Sequence, residues 1–135
     1  MKTSPTQRSL KLLRSQGWLV AVTERWNPFA KVRQDLFGFI DLLCIKGDKT
    51  LAVQTTSAAN AAARVDKVKA MQSASLWLES PGRAIVVHAW AKQGARGKRK
   101  LWHCREVHIN AQDEHQSIVQ AIRVPGQPTA NQNAP

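Results

Sequence analysis

The chain has 135 residues, of which 43% are hydrophobic and 21% are charged. That length suits one domain with a single modest core, because domains commonly run to ~100–150 residues. The sequence argues against a membrane-spanning helix, since no stretch approaches the ~20 consecutive apolar residues that a span requires. Two cysteines are too few for a disulfide scaffold and fit a reducing cytoplasm.

The charge balance predicts the class of partner. Twenty Lys and Arg residues against nine Asp and Glu residues leave a formal net charge of +11. Such an excess repels itself in a compact fold, and a polyanionic partner offsets that repulsion. Nucleic acid is the first candidate partner, and an acidic membrane surface is the second. The N-terminal residues lack the long apolar core of a secretory signal, so we expect a cytoplasmic protein.

The first half of the chain predicts one helix and three strands. An apolar stripe beside a basic face predicts a helix over 6–16. A run of β-branched and aromatic residues predicts a strand over 18–26. Two further strands, over 37–45 and 50–56, surround the short turn 46–49, so we expect them to pair as an antiparallel hairpin.

The second half alternates between helical and extended patterns. An alanine-rich helix is predicted over 57–70, followed by a shorter helical piece over 72–78. Strands over 83–90 and 101–109 surround a basic turn at 93–100. The order of helix, three strands, helix, strand and strand predicts a mixed sheet flanked by helices, which is an α/β (α+β) fold.

The composition of the chain changes after Asn110. Residues 1–110 hold all the predicted strands, and we expect them to form one domain. Residues 113–122 could form a short helix, whereas 124–135 contain three prolines and no aromatic or acidic residue. We therefore expect 111–135 to be a polar, flexible tail.

Acidic residues are scarce, so their positions are informative. Asp41 lies inside the most apolar predicted strand, where an unpaired carboxylate would be costly. Position alone leaves two interpretations equally open: an ion pair with an arginine such as Arg33, or a metal ligand. The predicted hairpin brings Gln54 close to Asp41, and an amide oxygen can join a carboxylate around Mg²⁺. Asp35 and Glu24 could add oxygen ligands, which together would suit metal-dependent hydrolysis of a phosphodiester.

Two short runs carry a family resemblance. The letters GFIDLL over 38–43, a turn, and LAVQTT over 51–56 resemble the core of the PD-(D/E)XK nuclease superfamily. In that core an aspartate opens a hairpin, and a Glu, Asp or sometimes Gln is followed by one spacer and a lysine. The G-x-x-D-L-L form is most similar to Holliday-junction resolvases and the VRR-NUC group, and the likeness covers roughly residues 8–90.

The resemblance implies several properties of the protein. It implies a restriction-endonuclease-like fold with the core order αβββαβ and a Mg²⁺ or Mn²⁺ cofactor. It also implies that the substrate is DNA, either branched or foreign, in a phage or mobile-element setting. Because resolvases work as symmetric dimers, a homodimer is expected as well.

The catalytic lysine of the superfamily has no direct counterpart here. The resemblance assigns Asp41 and Gln54 as metal ligands, and it puts Thr56 at the position of the lysine. That lysine normally orients the attacking water and stabilises developing negative charge, whereas threonine brings no charge. Some members carry the basic residue on the following helix, where Arg64 or Lys67 could replace it. The alternatives are an ordinary solvated helix face and a family member that has lost catalysis.

Positive side chains concentrate on the last predicted hairpin. A projecting basic turn can follow DNA phosphates, although basic hairpin tips also protect sheet edges. Six like charges exceed what edge protection requires, so DNA binding is favoured; they are Lys92, Arg96, Lys98, Arg99, Lys100 and Arg105. The predicted DNA-binding residues are Lys31, Arg33, Asn60, Lys92, Arg96, Lys98, Arg99 and Lys100.

These observations leave three hypotheses for function. The first is a small metal-dependent DNA endonuclease. The second is a DNA-binding protein that has lost catalysis on the same scaffold, which explains the charge and the missing lysine equally well. The third is a basic protein that binds and inhibits another nucleic-acid-handling machine.

Overall fold

A five-stranded sheet organises residues 3–110, the part of the chain that the computed structural model describes. The short helix over 113–122 and the flexible tail predicted from the sequence lie outside the described residues. In chain order the elements are α1 (Pro5–Ser15), β1 (Leu19–Val22), β2 (Arg25–Asn27), β3 (Val32–Gln34), β4 (Leu42–Lys46), β5 (Lys49–Ser57), α2 (Ala61–Lys69), α3 (Gln72–Trp77), β6 (Arg83–Gln93) and β7 (Leu101–Ile109).

The main sheet is mixed. Its strand order is β1-β4-β5-β6-β7. β5 and β6 run parallel, and the other neighbouring pairs are antiparallel. A parallel pair needs a long crossover connection, which α2 and α3 supply. The predicted mixed sheet with flanking helices is therefore confirmed. None of the helices within 3–110 is long and apolar enough to cross a membrane.

Both faces of the central strand β5 are covered, and this explains its apolar sequence. Val53 packs in a cluster with Leu13 of α1. Ala52 packs on the opposite face with Val68 of α2 and Ala74 of α3. Side chains alternate along a strand, so the residues that continue β5 also alternate between the α1 side and the α2 side.

The prediction of one continuous strand over 18–26 is wrong. Thr23 turns the chain out of the main sheet. Its side-chain hydroxyl donates to the carbonyl of Ile40 at 2.7 Å, and its backbone N–H donates to the carbonyl of Asp41 at 2.8 Å. β1 therefore pairs with β4, whereas β2 pairs with β3 in a separate two-stranded ribbon. β3 lies in the segment between the predicted strands 18–26 and 37–45, where the sequence predicted no strand.

The predicted strand over 37–45 begins later than expected, at Leu42. Phe37 and Gly38 adopt positive φ values of 55° and 87°, a conformation that glycine tolerates and that ends extended structure. Phe39 and Ile40 are nevertheless fully buried. The apolar run therefore reflects burial of a turn, and Asp41 lies at the point where the chain enters the sheet.

The helix predicted over 57–70 begins later than expected and is preceded by a separate turn. A 3₁₀ turn spans Ala58–Asn60, and α2 follows it. The third helix and the last two strands lie close to their predicted positions. β6 continues for three residues beyond Trp90, which pairs with Ser57 near the end of β5. The β6–β7 hairpin thus projects past the end of the sheet where β5 stops.

Candidate metal centre

A polar cavity of about 420 Å³ lies at that end of the sheet. Four parts of the fold contribute to it: the start of α1, the base of the β2–β3 ribbon, the β4–β5 pair and one side of α2. Its lining side chains are Ser4, Pro5, Thr6, Glu24, Arg33, Asp35, Asp41, Gln54, Thr55, Arg64 and Lys67.

Three carboxylates meet in this cavity. Glu24, Asp35 and Asp41 each offer an oxygen atom, and these oxygens all lie within 4.8 Å of one another. Asp41 is buried and the other two are partly exposed. Carboxylate oxygens at this spacing are the donors that Mg²⁺ and Mn²⁺ take, so the residues present fit the predicted ion.

The two strand pairings explain why these residues meet. Arg25 pairs with Gln34 across the ribbon, so the residues just outside that pair, Glu24 and Asp35, lie at the same end of the ribbon. Asp41 donates its backbone N–H to the carbonyl of Val53 at 2.9 Å, which fixes it beside β5. Residues from three separate segments of the chain are therefore held at one point.

Asp41 is held by hydrogen bonds from β5. Its Oδ2 accepts from Gln54 Nε2 at 2.7 Å, from the Thr55 backbone N–H at 2.8 Å and from Thr55 Oγ1 at 3.2 Å. Gln54 Nε2 also lies 3.4 Å from Asp35 Oδ2. The structure thus brings Gln54 next to Asp41, as the hairpin predicted. In this orientation Gln54 donates to carboxylates, and its Oε1 would face an ion only after the amide rotates by half a turn.

Burial and the crowding of negative groups both raise the pKa of Asp41. Burial raises the pKa of Asp41 to about 8, and the hydrogen bond to Asp35 and the charges of Asp35 and Glu24 act in the same direction. The hydrogen bond from the Thr55 backbone opposes the shift. The raised pKa favours the protonated form of the metal-free Asp41 side chain, and a divalent cation would displace that proton on binding.

The alternative in which Asp41 pairs with Arg33 does not match the observed contacts. Arg33 Nη1 lies 3.9 Å from Glu24 Oε1, and the Arg33 side chain is largely exposed. The neighbours that hold Asp41 are Gln54 and Thr55. Arg33 still lines the cavity, so it contributes positive charge at the rim beside the three carboxylates.

Of the residues that could replace the missing lysine, some line the cavity and one does not. Thr56 is buried and is not among the residues that line the cavity. Arg64 and Lys67 do line it, so α2 brings two positive groups into the space that the carboxylates share. Asn60, predicted to bind DNA, lies exposed in the 3₁₀ turn before α2 and outside the cavity lining.

Sequence reasoning missed the role of Thr55, which the family pattern treats as a spacer. Its backbone and hydroxyl both donate to Asp41, and its Oγ1 lies 2.9 Å from Thr6 Oγ1 in α1. The alternation of β5 is the signal that could have found it. Val53 faces α1, so Thr55 faces α1 as well.

A second set of polar contacts fixes α1 over the sheet. Ser9 Oγ lies 2.8 Å from His88 Nδ1 and accepts from Trp90 Nε1 at 2.9 Å. Arg8 lies over the ring of Trp102, 3.9 Å from its centre. These contacts join the helix to β6 and β7, and they hold the start of α1 in position at the cavity.

The predicted DNA-binding cations lie around the same end of the sheet. Lys31 is exposed in the ribbon turn, and Arg33 lies at the cavity rim. The exposed residues of the β6–β7 hairpin extend beyond the end of β5. They include Lys92, Arg96, Lys98, Arg99 and Lys100.

Comparison with known proteins does not assign the chain to a family. No family model, curated protein or solved structure matches the chain.

Proposed function

We propose that the protein is a metal-dependent DNA endonuclease of the PD-(D/E)XK type. The observation that carries the proposal is the meeting of Glu24, Asp35 and Asp41 within 4.8 Å, in a cavity that Arg64 and Lys67 also line. Phosphodiester hydrolysis requires this combination: carboxylates that bind a metal ion, next to positively charged side chains that bind the phosphate.

Each group has a distinct task in this proposal. The three carboxylates hold the ion, and Thr55 keeps Asp41 in place through its two hydrogen bonds. When bound, Mg²⁺ or Mn²⁺ neutralises charge on the phosphate and acidifies a water molecule. Arg64 and Lys67 then bind the phosphate oxygens on which negative charge develops.

The fold and the charge support the same proposal. The mixed sheet with helices packed on both faces suits the fold that the resemblance implies, although the β2–β3 ribbon and α3 interrupt the expected order αβββαβ. The net charge of +11 and the exposed basic hairpin suit a DNA substrate bound through its backbone. A phage or mobile-element setting and a homodimer belong to the proposal on the resemblance alone, and a cytoplasmic location belongs to it on the two cysteines.

The proposal is tested by cleavage of labelled DNA. The full chain is incubated with duplex, single-stranded, splayed and four-way-junction DNA in Mg²⁺, in Mn²⁺ and in EDTA. We expect cutting of at least one DNA with a divalent ion and none in EDTA. Intact DNA in every lane, with salt-sensitive binding retained, would instead establish the second candidate. The buried Thr56 at the lysine position favours that candidate, a DNA-binding protein without catalysis.

The positive groups of α2 should determine the cleavage rate. We expect the double variant Arg64→Ala/Lys67→Ala to slow cleavage by ~100-fold or more, because a positioned group that moves a proton or stabilises developing charge contributes at least that factor. Single variants measured in the same assay identify which cation dominates. Lys49→Ala is the matched control, since Lys49 is exposed and begins β5 at the far end from the cavity. Wild-type rates in the double variant would exclude α2 from the chemistry.

A further inference from the structure

The β2–β3 ribbon and the turn after it expose aromatic side chains. The exposed fractions are 55% for Trp26, 96% for Phe29 and 61% for Phe37. Trp102 is also partly accessible, at 42%. The charged groups of Arg8 and Lys92 lie over its ring, however, 3.9 Å and 5.5 Å from the ring centre. Exposed aromatic rings grouped in one short segment typically mark a binding surface.

The ribbon turn is held in a defined conformation. Asn27 Oδ1 accepts from the backbone N–H groups of Phe29 at 2.9 Å and Ala30 at 3.1 Å. Asn27 Nδ2 donates to Gln34 Oε1 across the ribbon at 3.3 Å. An asparagine that closes its own turn in this way orders the backbone. The Phe29 ring is therefore presented on an ordered support.

The charge of the ribbon complements a polyanion. Residues 25–34 contain Arg25, Lys31 and Arg33 and no acidic residue. Trp26 is the cross-ribbon partner of Arg33, so their side chains share one ribbon face, and Arg33 lines the cavity. Aromatic rings interleaved with cations are the combination that binds single-stranded nucleic acid, because bases stack on the rings and phosphates contact the cations.

We propose that the β2–β3 ribbon is a base-stacking wedge that binds nucleobases left unpaired where a DNA duplex is interrupted. Phe29 at the tip and Trp26 on the cavity side contact the bases, and the three ribbon cations contact phosphates. The inference rests on the proposed function, because Glu24 and Asp35 at the ribbon base would put the wedge and the metal centre on one DNA molecule.

The length of the ribbon sets the distance between the wedge and the metal centre. Phe29 is five residues beyond Glu24, and strand residues rise ~3.3 Å each, so the two lie within ~16 Å. At ~3.4 Å per nucleotide along a strand, the stacked bases lie up to about five nucleotides from the phosphate at the metal centre.

The wedge is tested by DNA binding in EDTA, where metal-dependent cleavage cannot occur. Fluorescence anisotropy compares a fully paired duplex with the same duplex interrupted by a short single-stranded gap, and 2-aminopurine in the gap reports stacking. We expect the wild-type protein to bind the gapped DNA about tenfold more tightly, the size expected for one stacked base. Phe29→Ala should lose that preference and the fluorescence change while binding the duplex as before.

Two further variants separate stacking from general effects on the ribbon. Phe29→Trp should restore the preference, since it keeps an aromatic ring at the tip. Val32→Ala removes an exposed apolar side chain from the same ribbon and should leave the preference unchanged. Thermal unfolding of each variant checks that the fold is retained.

The outcomes distinguish failure of the wedge from failure of the proposed nuclease. Wild-type preference in Phe29→Ala would overturn the wedge, while cleavage of the same DNAs by wild type in Mn²⁺ would leave the nuclease standing. Absence of DNA binding by the wild type would overturn both. Loss of self-association in Phe29→Ala, measured by sedimentation velocity, with no change in DNA binding would reassign the tip to a contact between copies of the chain.

Discussion

Asp41→Asn is expected to abolish metal-dependent DNA cleavage, with a loss of ~10³-fold or more. Asp41 is the buried member of the carboxylate cluster, and an amide cannot supply its charge to the ion. A bound divalent cation contributes several kcal/mol to stabilising charge in the transition state, and each ~1.4 kcal/mol corresponds to a tenfold change in rate. The measurement is the single-turnover cleavage rate on the DNA that the wild type cuts best.

The asparagine variant should remain folded, which makes this test specific. Asparagine has the shape of aspartate, and its Oδ1 can accept the hydrogen bonds from Gln54 and Thr55 that Asp41 Oδ2 receives. Asp48→Asn is the matched control, because Asp48 lies exposed in the β4–β5 turn at the opposite end of those strands. Cleavage by the Asp41 variant at the wild-type rate would exclude Asp41 as a metal ligand.

The metal-free protein is expected to lose stability through Asp41 as the pH rises from about 4 to about 8. Burial and the neighbouring carboxylates raise the pKa of Asp41 from 3.8 to about 8. Between these values the folded state binds a proton that the unfolded state releases, so the free energy of unfolding falls as the pH increases. Each pKa unit corresponds to ~1.4 kcal/mol, so the contribution amounts to a few kcal/mol.

The comparison with Asp41→Asn isolates this contribution. Other groups also titrate; burial lowers the pKa of His88, for example, which makes the folded state more stable as the pH rises towards the ordinary histidine value. We therefore expect the difference between variant and wild type, measured by urea unfolding in EDTA, to grow in favour of the variant from pH 5 to pH 8. Mn²⁺ should stabilise only the wild type. Parallel pH curves for the two proteins would contradict the prediction.

The two Asp41 predictions have one cause. Carboxylates gathered closely enough to hold an ion repel one another when the ion is absent, and burial of one of them adds a desolvation cost. The three hydrogen bonds to Asp41 Oδ2 offset part of that cost. A cluster of this kind would lower the stability of the metal-free chain, and the proposed ion would relieve that cost on binding.

The parts of the candidate site that could be predicted are those that depend on neighbouring strands. A short turn between two apolar runs was enough to predict that Gln54 lies beside Asp41, because hairpin pairing follows from local spacing. The family resemblance pointed to Arg64 or Lys67 on the helix after β5, and both of them line the cavity. The wrong boundaries at 18–26 and 37–45 have one physical origin: residues 23 and 37–41 follow burial and hydrogen bonding with distant segments rather than local strand preference.

By itself, the sequence determined the mixed sheet, the β4–β5 pairing and the basic hairpin, because hydrophobic period and turn chemistry act over a few residues. The sequence offered Glu24 and Asp35 as further ligands, but only the tertiary structure shows how they reach Asp41 and that Thr55 holds it. Those contacts depend on the β2–β3 ribbon, whose strands of three residues each are too short and too polar for a periodic signal. Its position follows from pairing and packing between segments distant in the chain.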